Sequence, residues 1–130
     1  MKKLIIVLAI FLFSIVAMAV DWHTANQITV AWDAQPKIVD DDVISYMVYR
    51  RFGGADELVE ETAKLQFTIT MTEEGKYYFG VSTKRTVVDG EIIESDINWS
   101  DVNEPEGSTP NPFGAKYYIR PGPPTNLNIP

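Results

Sequence analysis

A two-residue hydrophobic period, recurring from residue 26 to residue 102, limits the fold of this chain more than any other feature. Ile28, Val30 and Trp32 alternate with Thr29 and Ala31. Ile44, Tyr46 and Val48 point one way while Met47 and Tyr49 point the other. Leu65, Phe67 and Ile69 then alternate with Gln66, Thr68 and Thr70, and Tyr77, Phe79 and Val81 repeat the pattern. Successive side chains of a strand project to opposite faces, so each run reads as a half-buried strand. Turn signals separate them: Pro36 with Asp40, Asp41 and Asp42, then Gly53-Gly54, Glu73-Glu74-Gly75, and Asp89-Gly90 at a hairpin tip suited to a type I′ turn. Leu58-Val59 reads as a short edge strand that Glu60 and Glu61 charge against edge-to-edge pairing. No stretch between Val20 and Val102 sustains a helical period and no internal repeat is present. The expected architecture is therefore all-β: one antiparallel β-sandwich, which suits a chain of 130 residues.

The N-terminus is of another kind. Lys2 and Lys3 precede an apolar run over residues 4–13 that continues after Ser14 to Val20, and Ala17-Met18-Ala19 has the small-x-small form that a signal peptidase reads. Residues 1–19 are expected to be a signal peptide. The competing reading is an uncleaved anchor, since seventeen residues are at the short end of what spans a bilayer; that is the single route to a membrane. The mature chain is then expected to be secreted, or periplasmic and held at the cell envelope. Cys is absent, so disulfides do not staple the domain and burial alone must hold it.

Charge and composition narrow the function. The formal charge is −7, and loss of Lys2 and Lys3 with the leader takes it to about −9. Such a surface repels nucleic acid, whose binding needs clustered Lys and Arg. His23 is the one histidine and stands near the mature N-terminus. One His and no Cys assemble no nucleophile dyad and no His-rich zinc site, so no catalytic residue, metal or cofactor is expected. Asp40, Asp41 and Asp42 lack the alternating spacing and Gly of a calcium loop and read as a solvated acidic loop. Asn98-Trp99-Ser100 matches a glycosylation acceptor pattern that arises often by chance.

The order of landmarks resembles a fibronectin type III domain, an immunoglobulin-like sandwich. The resemblance rests on Ile28-Thr29-Val30-Ala31-Trp32, Tyr46-Met47-Val48-Tyr49 and Tyr77-Tyr78-Phe79-Gly80-Val81, with Met71 six residues before Tyr77. It implies inward core positions for Trp32, Tyr46 and Tyr77, and a Tyr77 hydroxyl bonded back to upstream backbone. It spans residues 26–102, so the domain is bounded at 20–102 with a Pro/Gly-rich tail over 103–130. Family members start with a Pro-preceded first strand, and residues 20–25 are too short for one. The far end, Pro121-Gly122-Pro123-Pro124-Thr125-Asn126-Leu127-Asn128-Ile129, looks like such a start. The tail is thus a linker, or it supplies the missing strand through Leu127 and Ile129, to its own domain or head-to-tail to the next.

Tyr49 and Tyr78 fall on the outer face of neighbouring strands, and with Trp99 they form the expected binding surface, or else stabilise the sheet by pairing across it. The leading expectation is a non-catalytic binding or structural module making protein–protein contacts at the envelope or on an assembled particle. The alternative is an accessory domain that binds a glycan or other ligand through Tyr49 and Tyr78.

Overall fold

The computed structural model describes residues 19–130, so the expected signal segment lies, Ala19 apart, outside the described residues. Among the described residues every regular element is a strand: β1 (Asp21–Thr24), β2 (Gln27–Ala31), β3 (Val43–Phe52), β4 (Ala55–Thr62), β5 (Gln66–Thr70), β6 (Gly75–Thr86), β7 (Ile92–Glu94), β8 (Asn98–Trp99) and β9 (Phe113–Tyr117). Among them, too, no helix is long and apolar enough to cross a membrane. The strands form a sandwich-like pair of sheets. The larger runs β1-β9-β6-β3-β4, with β7 and β8 also paired to β6, and the smaller holds β2 and β5.

Alternation selects the core. Val30 and Ile69 from the small sheet meet Val48, Tyr77, Phe79 and Ala115 from the large one, with Met71 at the crossover between them. Tyr46 is buried on the same side of β3. Its ring lies 5.6 Å from that of Trp32, and its hydroxyl accepts the Gln35 amide at 2.9 Å. Phe52 stacks on Tyr77 at 4.5 Å, and the Tyr77 hydroxyl donates to the Glu73 carbonyl, tying the β5–β6 turn to its strand. Burial raises the Tyr77 hydroxyl above its ordinary pKa, so it stays protonated and donating.

The large sheet continues beyond Val102, where the alternation of the sequence ends. Three segments occupy one edge of β6 in succession: β7 on residues 84–86, β8 on residues 80–81 and β9 on residues 75–77. Between β8 and β9 the chain makes an ordered excursion. The Ser100 hydroxyl accepts the Phe79 amide at 3.0 Å in place of a backbone carbonyl. The Asn103 side chain caps the amides of Gly107 and Thr109 at 2.8 and 3.2 Å. The chain then returns as β9, with Ala115 fully buried and Phe113 stacked at 6.4 Å on Phe79.

The short N-terminus does form a strand, in an unusual place. β1 pairs parallel with β9, Trp22 opposite Gly114, and not with β2. The outer edge of β2 therefore carries no partner strand among the described residues. The tail does not cover it either: Leu127 and Ile129 are 94% and 95% exposed. Completion of its own small sheet by the tail is thus absent from this structure.

Candidate functional site

Three places on this frame gather side chains of functional interest. The first is one end of the large sheet. Val43 at the start of β3 pairs with Thr86 at the end of β6, and Thr86 pairs with Ile92 at the start of β7. Around this row stand the exposed aliphatics Ile38 (73%), Val39, Val43, Val88 (82%), Ile92 and Ile93. Asp42, itself buried, holds the β2–β3 loop that bears two of them. Its Oδ2 accepts the amides of Ile38 and Val39, each at 3.0 Å, and Arg85 Nε from β6 at 2.8 Å. Oδ1 is buried without a partner, so the brace depends on the single oxygen.

The Arg85 hydrogen bond, helped by the two amides and opposed by burial, holds the Asp42 carboxyl below its ordinary pKa. A carboxyl whose folded pKa lies below its unfolded one stabilises the fold above the unfolded value, near 4, and loses that contribution as pH falls through the folded value. The loop brace is therefore intact at neutral pH and fails in acid. Asp56 and Glu94 are lowered as well, and share in any overall acid sensitivity. Comparison with Asp42→Asn isolates the brace. Thermal midpoints taken from about pH 7 down to about pH 3 are expected to fall more steeply for the native chain than for the variant, the two converging in acid. Parallel curves would remove Asp42 as the brace.

The second place is the outer face of the large sheet, where Tyr49, Tyr78 and Trp99 join Trp22. Gly80 and Gly114 leave flat spots there, and the rings lie over them. A Cβ on Gly80 would stand 2.7 Å from Trp99, and one on Gly114 would stand 2.6 Å from Trp22. Trp22 packs on Tyr78 at 5.2 Å, with Lys76 and Lys116 at 5.2 and 5.4 Å from its ring. Arg51 lies 4.0 Å over Trp99 and forks onto Asp56 at 2.7 and 3.2 Å. Stacking and cation–π contact of this kind stabilise a sheet face. The Tyr49 hydroxyl donates to Glu94 at 2.7 Å. That bond raises its pKa, while Ser82 first and Tyr49 second lower that of Glu94. All four rings are half-buried against one another or against cations, which leaves little open platform.

The third place is a groove of about 720 Å³ beside the unpaired edge of β2. Val30, Ala31 and Trp32 form one wall, Phe79, Gly80 and Val81 the other, and the loop through Pro110 closes one side. Trp32 Nε1 is buried at this groove with no partner.

The remaining sequence signals are placed as follows. His23 is exposed on β1 beside Asp21, 3.6 Å away. Among the described residues no three His, Cys, Asp or Glu converge as a metal would require. Asp40 and Asp41 are exposed to solvent while Asp42 is committed to Arg85. Asn98 is tied to Ser108 and Thr109 at 2.9 and 2.8 Å, which leaves its amide poorly placed as an acceptor of glycan. Sequence reasoning missed the aliphatic end of the sheet, although Ile38-Val39 inside an acidic loop and Val88 beside an Asp-Gly turn were visible signals. Comparison with family models, with curated proteins and with solved structures finds no match to this chain.

Proposed function

We propose that this chain is an exported, non-catalytic binding or structural module of the fibronectin type III kind, which makes protein–protein contacts at the cell envelope or on an assembled particle. The observation that carries the reading is the end of the large sheet bearing Ile38, Val39, Val43, Val88, Ile92 and Ile93. Fully burying an aliphatic side chain is worth about 1.5–3 kcal/mol. They stand exposed at one end of the sheet, Ile38 and Val39 on the loop that Asp42 and Arg85 brace, and a concentration of exposed aliphatics of this kind marks a protein interface. The leader pattern at residues 1–19 supports export, and a domain without Cys is one held by burial alone. The order of Trp32, Tyr46, Val48 and Tyr77 along an all-β chain supports the family. A glycan platform at Tyr49 and Tyr78 has less behind it, since a sugar would have to displace Arg51, Trp22 or the Glu94 bond.

A photo-crosslinking residue placed at Val88 in the producing cells tests this. Covalent adducts to protein are expected from Val88 and not from Thr68, on the outer face of the small sheet. Absence of any adduct, together with glycan-array binding that Tyr49→Ala plus Tyr78→Ala abolishes, would replace the proposal with the glycan-binding alternative.

A further inference from the structure

We infer that the unpaired edge of β2 accepts, as an antiparallel strand, residues 125–129 of a second copy of this chain; the inference rests on the reading of the chain as a protein-contact module and adds a second contact surface to it.

The acceptor is built for backbone pairing. The Met71 amide donates to the Asn26 carbonyl and the Trp32 amide to the Leu65 carbonyl, so residues 26, 28, 30 and 32 bond toward β5. Gln27, Thr29 and Ala31 accordingly turn their N–H and C=O groups outward, since bonding alternates along an antiparallel strand. A sheet of two strands is marginal alone, and a bare edge is a template for another chain. The β4 edge of the large sheet is defended, because it carries Asp56, Glu57, Glu60 and Glu61. β2, with the sequence Gln-Ile-Thr-Val-Ala, has no charge and no proline. Beside it lies the groove, in whose wall Trp32 stands with its Nε1 buried and without a partner.

The tail matches this acceptor. Leu127 and Ile129, almost wholly exposed, stand two residues apart, as two inward side chains of one strand must. With Asn128 opposite Thr29, Leu127 lies beside Val30 and Ile129 beside Ile28, which continues the apolar face of β2 into the groove. Pro121, Pro123 and Pro124 lie ahead of the pairing residues, where their missing N–H groups do no harm and their stiffness projects the segment outward.

Polarity assigns the donor to another copy. β9 ends beside Gly75, and the Ile119 amide donates to Glu74 at 2.6 Å, so the tail departs from the end where β2 begins. An antiparallel donor must enter from the Ala31 end. Residues 120–124 span at most about 17 Å, the length of β2 itself, which leaves no residue to reverse direction. In a head-to-tail row the tail of one copy approaches the Ala31 end of the next, and repetition of that contact gives an open chain of subunits.

The chain has no Cys, so engineered thiols report the pairing cleanly. Thr29→Cys and Asn128→Cys are prepared separately, both at exposed positions, and mixed under mild oxidation. Directly opposed residues lie about 5.5 Å apart at Cα, within disulfide reach. A disulfide-linked heterodimer is expected in yield about tenfold or more above that from Asn128→Cys mixed with Thr68→Cys, one strand further away and beyond the ~7 Å limit. Leu127→Asp added to the Asn128→Cys chain is expected to abolish the product while leaving the thermal midpoint of the dilute chain unchanged. Yield equal to the control overturns the inference. So does a purely intramolecular disulfide when both thiols share one chain, which would mean the tail fills its own β2 edge. Either failure alongside protein adducts from Val88 leaves the module reading standing with a different partner.

Discussion

Deletion of residues 103–130 is expected to abolish cooperative folding, whereas deletion of residues 121–130 is expected to leave the thermal midpoint of the dilute chain unchanged. The first cut removes β9, which lies between β6 and β1 and is the one strand β1 pairs with. It takes away the buried Ala115 and the rings of Phe113 and Tyr117, both packed against the core. At about 1.5–3 kcal/mol for each large side chain fully buried, and somewhat less for these half-buried rings, the loss approaches several kcal/mol. A domain of this size has about 5–15 kcal/mol in total. Trp22 loses its floor at the same time, and the wall of Phe79 that Phe113 covers is laid open to water. The second cut touches no strand pair. Equal behaviour of the two truncations, by thermal or urea denaturation, would mean that β9 is not part of the folded unit.

Gly114→Val is the second large effect expected. A Cβ at this position would lie 2.6 Å from Cζ3 of Trp22 and 2.8 Å from the Tyr77 carbonyl oxygen. The indole can swing away, but the carbonyl belongs to β6 and moves only if the β6–β9 ladder parts. Overpacking at a tight site costs about 1–3 kcal/mol, and here the backbone contact puts the expectation at the upper end. Gly80→Ala is the informative comparison. Its Cβ would meet side chains only, Ile97 and Trp99, which can shift, so a smaller loss is expected. Denaturant midpoints of the two variants, read through tryptophan fluorescence, give the order. A Gly114→Val chain as stable as the native one would show that β9 does not lie against β6 as described.

The strands that carry their own period were legible from sequence: Ile28 to Trp32, Ile44 to Val48, Phe67 to Ile69 and Tyr77 to Val81 each state their inward face locally, whereas Leu65, read as the start of the third run, lies before β5 and is exposed. β9 was not legible for two physical reasons. Its outward position at Gly114 carries no side chain because a ring from β1 occupies that space, and the polar, Pro-containing excursion before it has the composition of a linker. β1 was hidden because its pairing partner lies at the far end of the chain, and nothing within residues 21–24 announces parallel pairing. Exposure is likewise a property of the assembled molecule. Tyr49 and Tyr78 could be assigned to the outer face by parity, but the Glu94 bond and the Trp22 ring that engage them come from separate strands. Ile38 and Val39 are fixed at this end of the sheet because Asp42, which holds their amides, meets Arg85 of β6.

Whether the edge of β2 is open in one copy and filled by another can be read residue by residue through amide hydrogen exchange. The amides of Gln27, Thr29 and Ala31 point outward, while those of Ile28 and Val30 bond to β5. In dilute solution the first three are expected to exchange fast and the other two slowly. Raising the chain concentration, or adding a peptide of residues 121–130, is expected to slow the Thr29 amide selectively. A Thr29 amide already protected in dilute solution, or one that neither concentration nor peptide protects, would contradict pairing of the tail with this edge.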